Sequence, residues 1–252
     1  MVPRPTVRDE LRSLAGRLAA TPLTLVVAPA GSGKTMLLDD WRESLSSRAT
    51  PVASLDLARW HDDVASLASD LVDALAATLP GFGEPTRALL ASIADPARDW
   101  PGIARSLLRE LTLHGPPAVL FLDGVDEFDP SSPGAALLDA LVSDAPPTLR
   151  LVLTSRGALP PAVARRALAA PPIEVRADDL YLRADEIART LDAHGVEATD
   201  TLVTQLLART EGWATGVVLG ARLLARTKHS ERQRVVSDLG SGSDLLAYVG
   251  QE

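Results

Sequence analysis

Eight consecutive residues, Ala28-Pro29-Ala30-Gly31-Ser32-Gly33-Lys34-Thr35, have the types and spacing that hold a nucleoside triphosphate. Gly31 and Gly33 let the backbone turn successive N–H groups toward phosphate oxygens, and a helix starting here aims its positive end the same way. Lys34 is placed to neutralise the β- and γ-phosphates, and Thr35 to offer its hydroxyl to Mg2+. Pro29, Ala30, Ser32 and Met36 complete the expected nucleotide contacts of the turn. Ala28 stands where such turns usually carry a first glycine, and its small side chain is expected to fit. The competing reading is an ordinary strand-to-helix turn with an incidental Gly-Lys-Thr.

A second group of chemically able residues follows a hydrophobic run. Ala118 to Leu122 ends in Asp123, then Gly124-Val125-Asp126-Glu127. A strand that delivers a carboxylate to the edge of a sheet supplies what Mg2+ at a nucleotide needs, so Asp123 is the candidate metal ligand. Asp126 or Glu127 would orient the attacking water, with Glu127 favoured. A third run ends Leu153-Thr154-Ser155-Arg156, where a polar residue and a cation could sense the γ-phosphate. Alternatively, Arg156 simply begins a surface loop.

Five short apolar runs must position these groups: Leu23–Val27, Val52–Leu55, Ala118–Leu122, Leu149–Leu153 and Ile173–Val175. They are unbroken rather than alternating, which suits a parallel sheet covered on both faces. Between them, Val64, Leu67, Ala68, Leu71, Val72 and Leu75 share one helical face, and Ile103 to Leu111 and Leu137 to Val142 repeat the pattern. Strands alternating with helices give a doubly wound α/β sheet. After about residue 178 the reading is all helix, over 186–191, 202–209 and 214–225. The expected division is an α/β core over 1–177, a helical lid over 178–230, and the start of a truncated winged-helix segment over 231–252.

Composition narrows the field. A net charge of −8 argues against broad nucleic-acid contact, and the chain has no cysteine for disulfides or thiolate metal sites. No stretch reaches the roughly 18 apolar residues of a membrane span, and the N-terminus lacks an apolar signal core. A cytoplasmic protein is expected. The four histidines show no ligand spacing.

The phosphate turn with Trp41 following, Ser54-Leu55-Asp56 with Asp62-Asp63, Phe121 to Glu127, Leu153 to Arg156, Asp179-Leu180 and Thr210-Glu211-Gly212-Trp213-Ala214-Thr215-Gly216 resemble the STAND class of P-loop NTPases. More narrowly, they resemble the ATPase module of large LuxR/maltose-activator-type transcriptional regulators. That resemblance implies an α/β P-loop NTPase fold of the ASCE type, with the fourth strand inserted between the first and third, plus a C-terminal helical domain. It implies Lys34 and Thr35 at the triphosphate and metal, Asp123 at the metal, Arg156 as γ-phosphate sensor, and Arg4 and Trp213 near adenine. Trp213 is equally readable as a core tryptophan. Two departures stand out: Gly124 takes the place of a second Asp, and Gly212-Trp213-Ala214 replaces a Gly-x-Pro turn.

The function expected from this is a slow ATPase that switches with ATP or ADP and couples nucleotide state to domain rearrangement or self-association. It would answer an unknown inducer and reach DNA only through domains not in this chain. The competing functions are a STAND NTPase of a defence system, a P-loop small-molecule kinase with Arg165-Arg166 as its lid, and a nucleotide-free remnant.

Overall fold

The computed structural model describes residues 8–113 and 117–238. Those residues form two compact units: one holds 9–27 and 35–175, the other Arg8, Ala28–Lys34 and 176–238.

The larger unit is built on the apolar runs. β1 (Leu23–Val27), β2 (Val52–Asp56), β3 (Ala118–Asp123), β4 (Leu149–Ser155) and β5 (Ile173–Arg176) form one sheet in the order β2-β3-β4-β1-β5. The pairs β2–β3, β3–β4 and β4–β1 are parallel. The fourth strand therefore lies between the first and third, as the ASCE resemblance implied. Leu120, Phe121, Leu122, Leu151 and Leu153 are completely buried, because helices cover both faces. Four strands run further than their apolar runs, with Asp56, Asp123, Ser155 and Arg176 as the last residues of β2, β3, β4 and β5.

Helices α1 (Asp9–Ser13), α2 (Ala15–Leu18), α3 (Lys34–Ser46), α4 (Val64–Ala76), α5 (Glu84–Ser92), α6 (Trp100–Leu113), α7 (Pro133–Asp144) and α8 (Pro161–Ala169) belong to this part of the chain. Apolar side chains of α4, α6, α7 and α8 fill one core with the strands. α4 starts at Asp63, whose carboxylate accepts from the Ser66 backbone N–H and hydroxyl. Those bonds hold the Asp63 pKa below its ordinary value, the hydroxyl contributing most. Trp41 of α3 is fully buried and donates its indole N–H to Leu11 O at 2.7 Å, fastening the N-terminal helices.

The smaller unit is helical: α9 (Ala177–Leu180), α10 (Ala184–Ala193), α11 (Asp200–Thr210), α12 (Ala214–Arg226) and α13 (Arg232–Asp238). Its core gathers Ile187, Leu191, Leu206, Val217, Ala221 and Leu224. Arg8 donates to Asp179 O and Tyr181 O and pairs with buried Glu186, so this charge sits in a hydrogen-bonded setting. Among the described residues, no helix is long and apolar enough to cross a membrane. Most of the expected winged-helix segment, from residue 239, lies outside the described residues.

Candidate functional site

The phosphate turn is shaped by its backbone. Gly31 and Gly33 sit at φ +72° and +97°, the left-handed region that residues with a Cβ rarely adopt. Ala28 is buried and is not among the residues with positive φ, so no glycine is required at that position. The carbonyls of the turn are taken up one after another. Lys34 Nζ lies 2.6 Å from Ala28 O and 2.9 Å from Pro29 O, and Ser32 Oγ donates to Pro29 O at 2.8 Å. Trp213 Nε1 donates to Ala30 O at 3.0 Å. Gly31 O accepts from both the Thr215 backbone N–H, at 3.0 Å, and the Thr215 hydroxyl, at 2.9 Å.

A second group of candidate residues lies at the carboxyl edge of the sheet. Parallel registers place Val27 opposite Ser155, and Leu122 opposite Leu153, so β1 and β3 end on the same side. Open α/β sheets bind ligands outside this edge. Thr35, in the first turn of α3, brings its hydroxyl to 3.5 Å from Asp123 Oδ2. The buried Thr154 hydroxyl donates to Asp123 Oδ1 and accepts from Gly124 N. Thr154 thus fixes the carboxylate that the sequence singled out, a role its place in the Leu-Thr-Ser-Arg run did not announce.

Gly124 accounts for the missing second Asp. Its φ of +84° suits glycine, and an added Cβ would come within 3.4 Å of Leu57 O. The loop then closes on itself: Val125 N donates to Thr154 O, and Glu127 N to Gly124 O. Arg156 joins the group by two bonds. Its backbone N–H donates to Asp126 Oδ1 at 3.1 Å, and its Nη1 lies 2.9 Å from Glu127 Oε1. Asp126 is therefore occupied in holding the β4 end, while Glu127 faces the Arg156 guanidinium. At the far end of the loop, the Ser131 backbone N–H and hydroxyl lower the pKa of exposed Asp129.

Other expected positions fall elsewhere. Met36 is half-buried in α3, and Arg4 lies outside the described residues. Trp213 is half-buried, with its indole N–H on the phosphate turn. Arg165 and Arg166, the lid of the kinase reading, sit on α8 beside a 420 Å3 cavity lined by Pro22 and Arg150, at the amino edge of the sheet. Arg165 pairs with Asp139, and Arg166 donates to the carbonyls of Val142 in α7 and of Ala145 just after it, so both already have partners within the chain. His61 is buried and satisfied: Nδ1 accepts from Ala58 N and Nε2 meets Asp70.

Residues 2–154 match the AAA ATPase domain family. The chain belongs to that family. The match takes in the phosphate turn and Asp123 and ends before Arg156 and the helical unit. As an AAA-type P-loop ATPase module the chain is a nucleotide-binding protein. It is also similar to the serine/threonine-protein kinase PknK of Mycobacterium tuberculosis, at 28% identity over 98% of this chain and 21% of that protein. The chain thus spans about one fifth of the length of the curated relatives it matches. A Walker-type ATPase of Pyrococcus abyssi superposes with a TM-score of 0.56 at 17% identity, over 92% of this chain and 73% of that one. The Orc1 protein of Aeropyrum pernix, solved in complex with DNA, gives 0.56 at 18% identity over 94% and 66%. At such identities the likeness concerns the fold.

Proposed function

We propose that this chain is the ATP- and Mg2+-dependent switch module of a larger signalling protein, a STAND-class regulator of the LuxR/maltose-activator type. One observation carries the nucleotide part of the reading: four successive carbonyls, Ala28 to Gly31, are engaged by donors of the chain itself. In such a turn the amides point to the side opposite the carbonyls, where phosphate would sit. Lys34 would exchange its carbonyl partners for the β- and γ-phosphates, with Ala30, Gly31, Ser32, Gly33 and Met36 contributing through backbone N–H groups and Pro29, which has none, through packing alone. Arg4 is proposed near the base, from the resemblance alone.

The donor set fits magnesium. Thr35 and Asp123 offer hard oxygens 3.5 Å apart. Among the described residues no group of three His, Cys, Asp or Glu is arranged to hold a metal by itself. That suits an ion that keeps several waters and takes substrate phosphate oxygens. Bound there, the ion would neutralise charge on the phosphates.

Glu127, rather than Asp126, is the proposed residue for positioning water, because Asp126 already accepts from Arg156 N. The Glu127–Arg156 pair is largely exposed on the arginine side and contributes below about 1 kcal/mol, so it can open when Arg156 turns to a γ-phosphate. While closed, it occupies one carboxylate oxygen of Glu127. The alignment of 98% of this chain with one fifth of a much longer protein supports a module within a multidomain regulator. Within that regulator we propose an α/β core over 1–177, a helical lid over 178–230 and a winged-helix start from 231. DNA contact and inducer binding would belong to domains outside this chain, and ATP would favour self-association.

Phosphate release from the full chain tests the reading. The expected rate lies far below the ~10 s−1 of a typical enzyme. Glu127→Gln should lower it further while leaving ATP affinity within about twofold. Rapid transfer of phosphate to a small acceptor would overturn the switch in favour of a kinase.

A further inference from the structure

Trp213 and Thr215 bind the outer side of the phosphate turn, and this points to a role other than contact with the base. A trans peptide is planar, with its C=O and N–H pointing in opposite directions. The bond from the Trp213 indole to Ala30 O therefore turns the Gly31 N–H away from α12. The two bonds from Thr215 to Gly31 O do the same for the Ser32 N–H. These are amides of the run that would cradle phosphate.

The contact is mutual. Trp213 is the N-cap residue of α12 and its side chain caps nothing within the helix. The first amides of a helix lack partners inside it, and Gly31 O supplies one to Thr215 N. The fit is also tight. A Cβ on Gly31 would lie 2.5 Å from Thr215 Oγ1 and 2.7 Å from Trp213 Cζ2, so the turn needs glycine here for space as well as for φ. Two successive left-handed residues, Glu211 at φ +51° and Gly212 at φ +79°, swing the chain out of α11 and set the indole in place. Gly212 cannot easily be replaced, since its Cβ would meet Leu182 O at 2.5 Å.

We infer that Trp213 and Thr215 are positioning residues for phosphate, which fix the direction of the turn's amides through the carbonyls of Ala30 and Gly31. The inference rests on the nucleotide reading above and replaces the adenine contact implied for Trp213. It also joins the start of α12 directly to the segment that would sense phosphate occupancy.

A ligand without a base separates the two roles. The wild-type chain, Trp213→Phe, Thr215→Val and Thr215→Ser are titrated with Mg·ATP and with Mg·tripolyphosphate, well below their melting temperatures. Trp213→Phe and Thr215→Val should each weaken both ligands by the same factor, roughly five- to tenfold, as loss of one useful hydrogen bond gives. Thr215→Ser keeps the hydroxyl and should match wild type, a rescue that a general loss of fold would not show. Weakening of ATP alone would overturn the inference in favour of a base contact. Unchanged affinity for both ligands would overturn it while leaving the nucleotide reading standing. Failure of the wild type to bind either ligand would overturn both.

Discussion

The two halves of the candidate set are held by different means. The carboxyl end of β3 is fixed by its neighbours in the sheet: Thr154 on the adjoining strand holds Asp123, and Asp126 holds the start of the loop after β4. The phosphate turn is held by residues 183 and 184 positions later in the chain, Trp213 and Thr215. A sheet edge with built-in neighbours keeps its geometry wherever the sheet is folded. A turn fixed by a distant helix keeps its geometry only while that helix stays on it.

The comparison breaks first, and most strongly, at the metal. Asp123→Asn removes the charge from one of two proposed protein ligands. ATP affinity in Mg2+ should fall by about tenfold or more, the scale of a lost interaction with a charged group. Affinity in EDTA should be nearly unchanged, and isothermal titration in the two buffers reads both. Next come the glycines. Gly31→Ala must displace Thr215 and Trp213 as well as hold φ +72°, whereas Gly124→Ala faces contacts of only 3.3 and 3.4 Å. Gly124→Ala should cost about 1–2 kcal/mol of stability from backbone strain. Gly31→Ala should cost more, and denaturant unfolding gives the order. Equal costs would show that the packing on Gly31 is incidental.

Thr154→Val sharpens the contrast further, because it leaves Asp123 Oδ1 and Gly124 N without their shared hydroxyl. Affinity for Mg·ATP should drop by roughly fivefold, about 1 kcal/mol, while metal-free binding at the turn stays constant. The smallest effect belongs to Asp63, remote from both halves. Its folded pKa is depressed, so its stabilisation is complete above the unfolded value of about 3.9 and disappears as pH falls through the lower folded value. Asp63→Ala should cost about 1 kcal/mol at pH 7 as a lost helix cap. The melting-temperature gap to wild type should close below about pH 4.

The sheet was legible because its strands are short unbroken apolar runs, which fit a parallel sheet covered on both faces and little else. Asp123 was legible for a related reason: a carboxylate closing such a run has to surface at the sheet's edge. α5 and α8 were not read, since few of their side chains are buried. The duties of Thr154 and Thr215 were hidden for another reason. A hydroxyl reveals its partner only once strand order and helix placement bring distant residues together, and local spacing carries no trace of that. Arg156 and Glu127 were both picked out, but their pairing depends on β4 lying beside β3, which came from the resemblance rather than from the residues.

On the proposed function, Lys34 and the turn from Ala28 to Thr35 hold a nucleoside triphosphate. The most direct measurement is isothermal titration of the full chain with Mg·ATP, wild type against Lys34→Ala. The account predicts one site per chain, weakened about a hundredfold or more when the ammonium is removed. Equal affinity for the two proteins, or no binding to either, would contradict it.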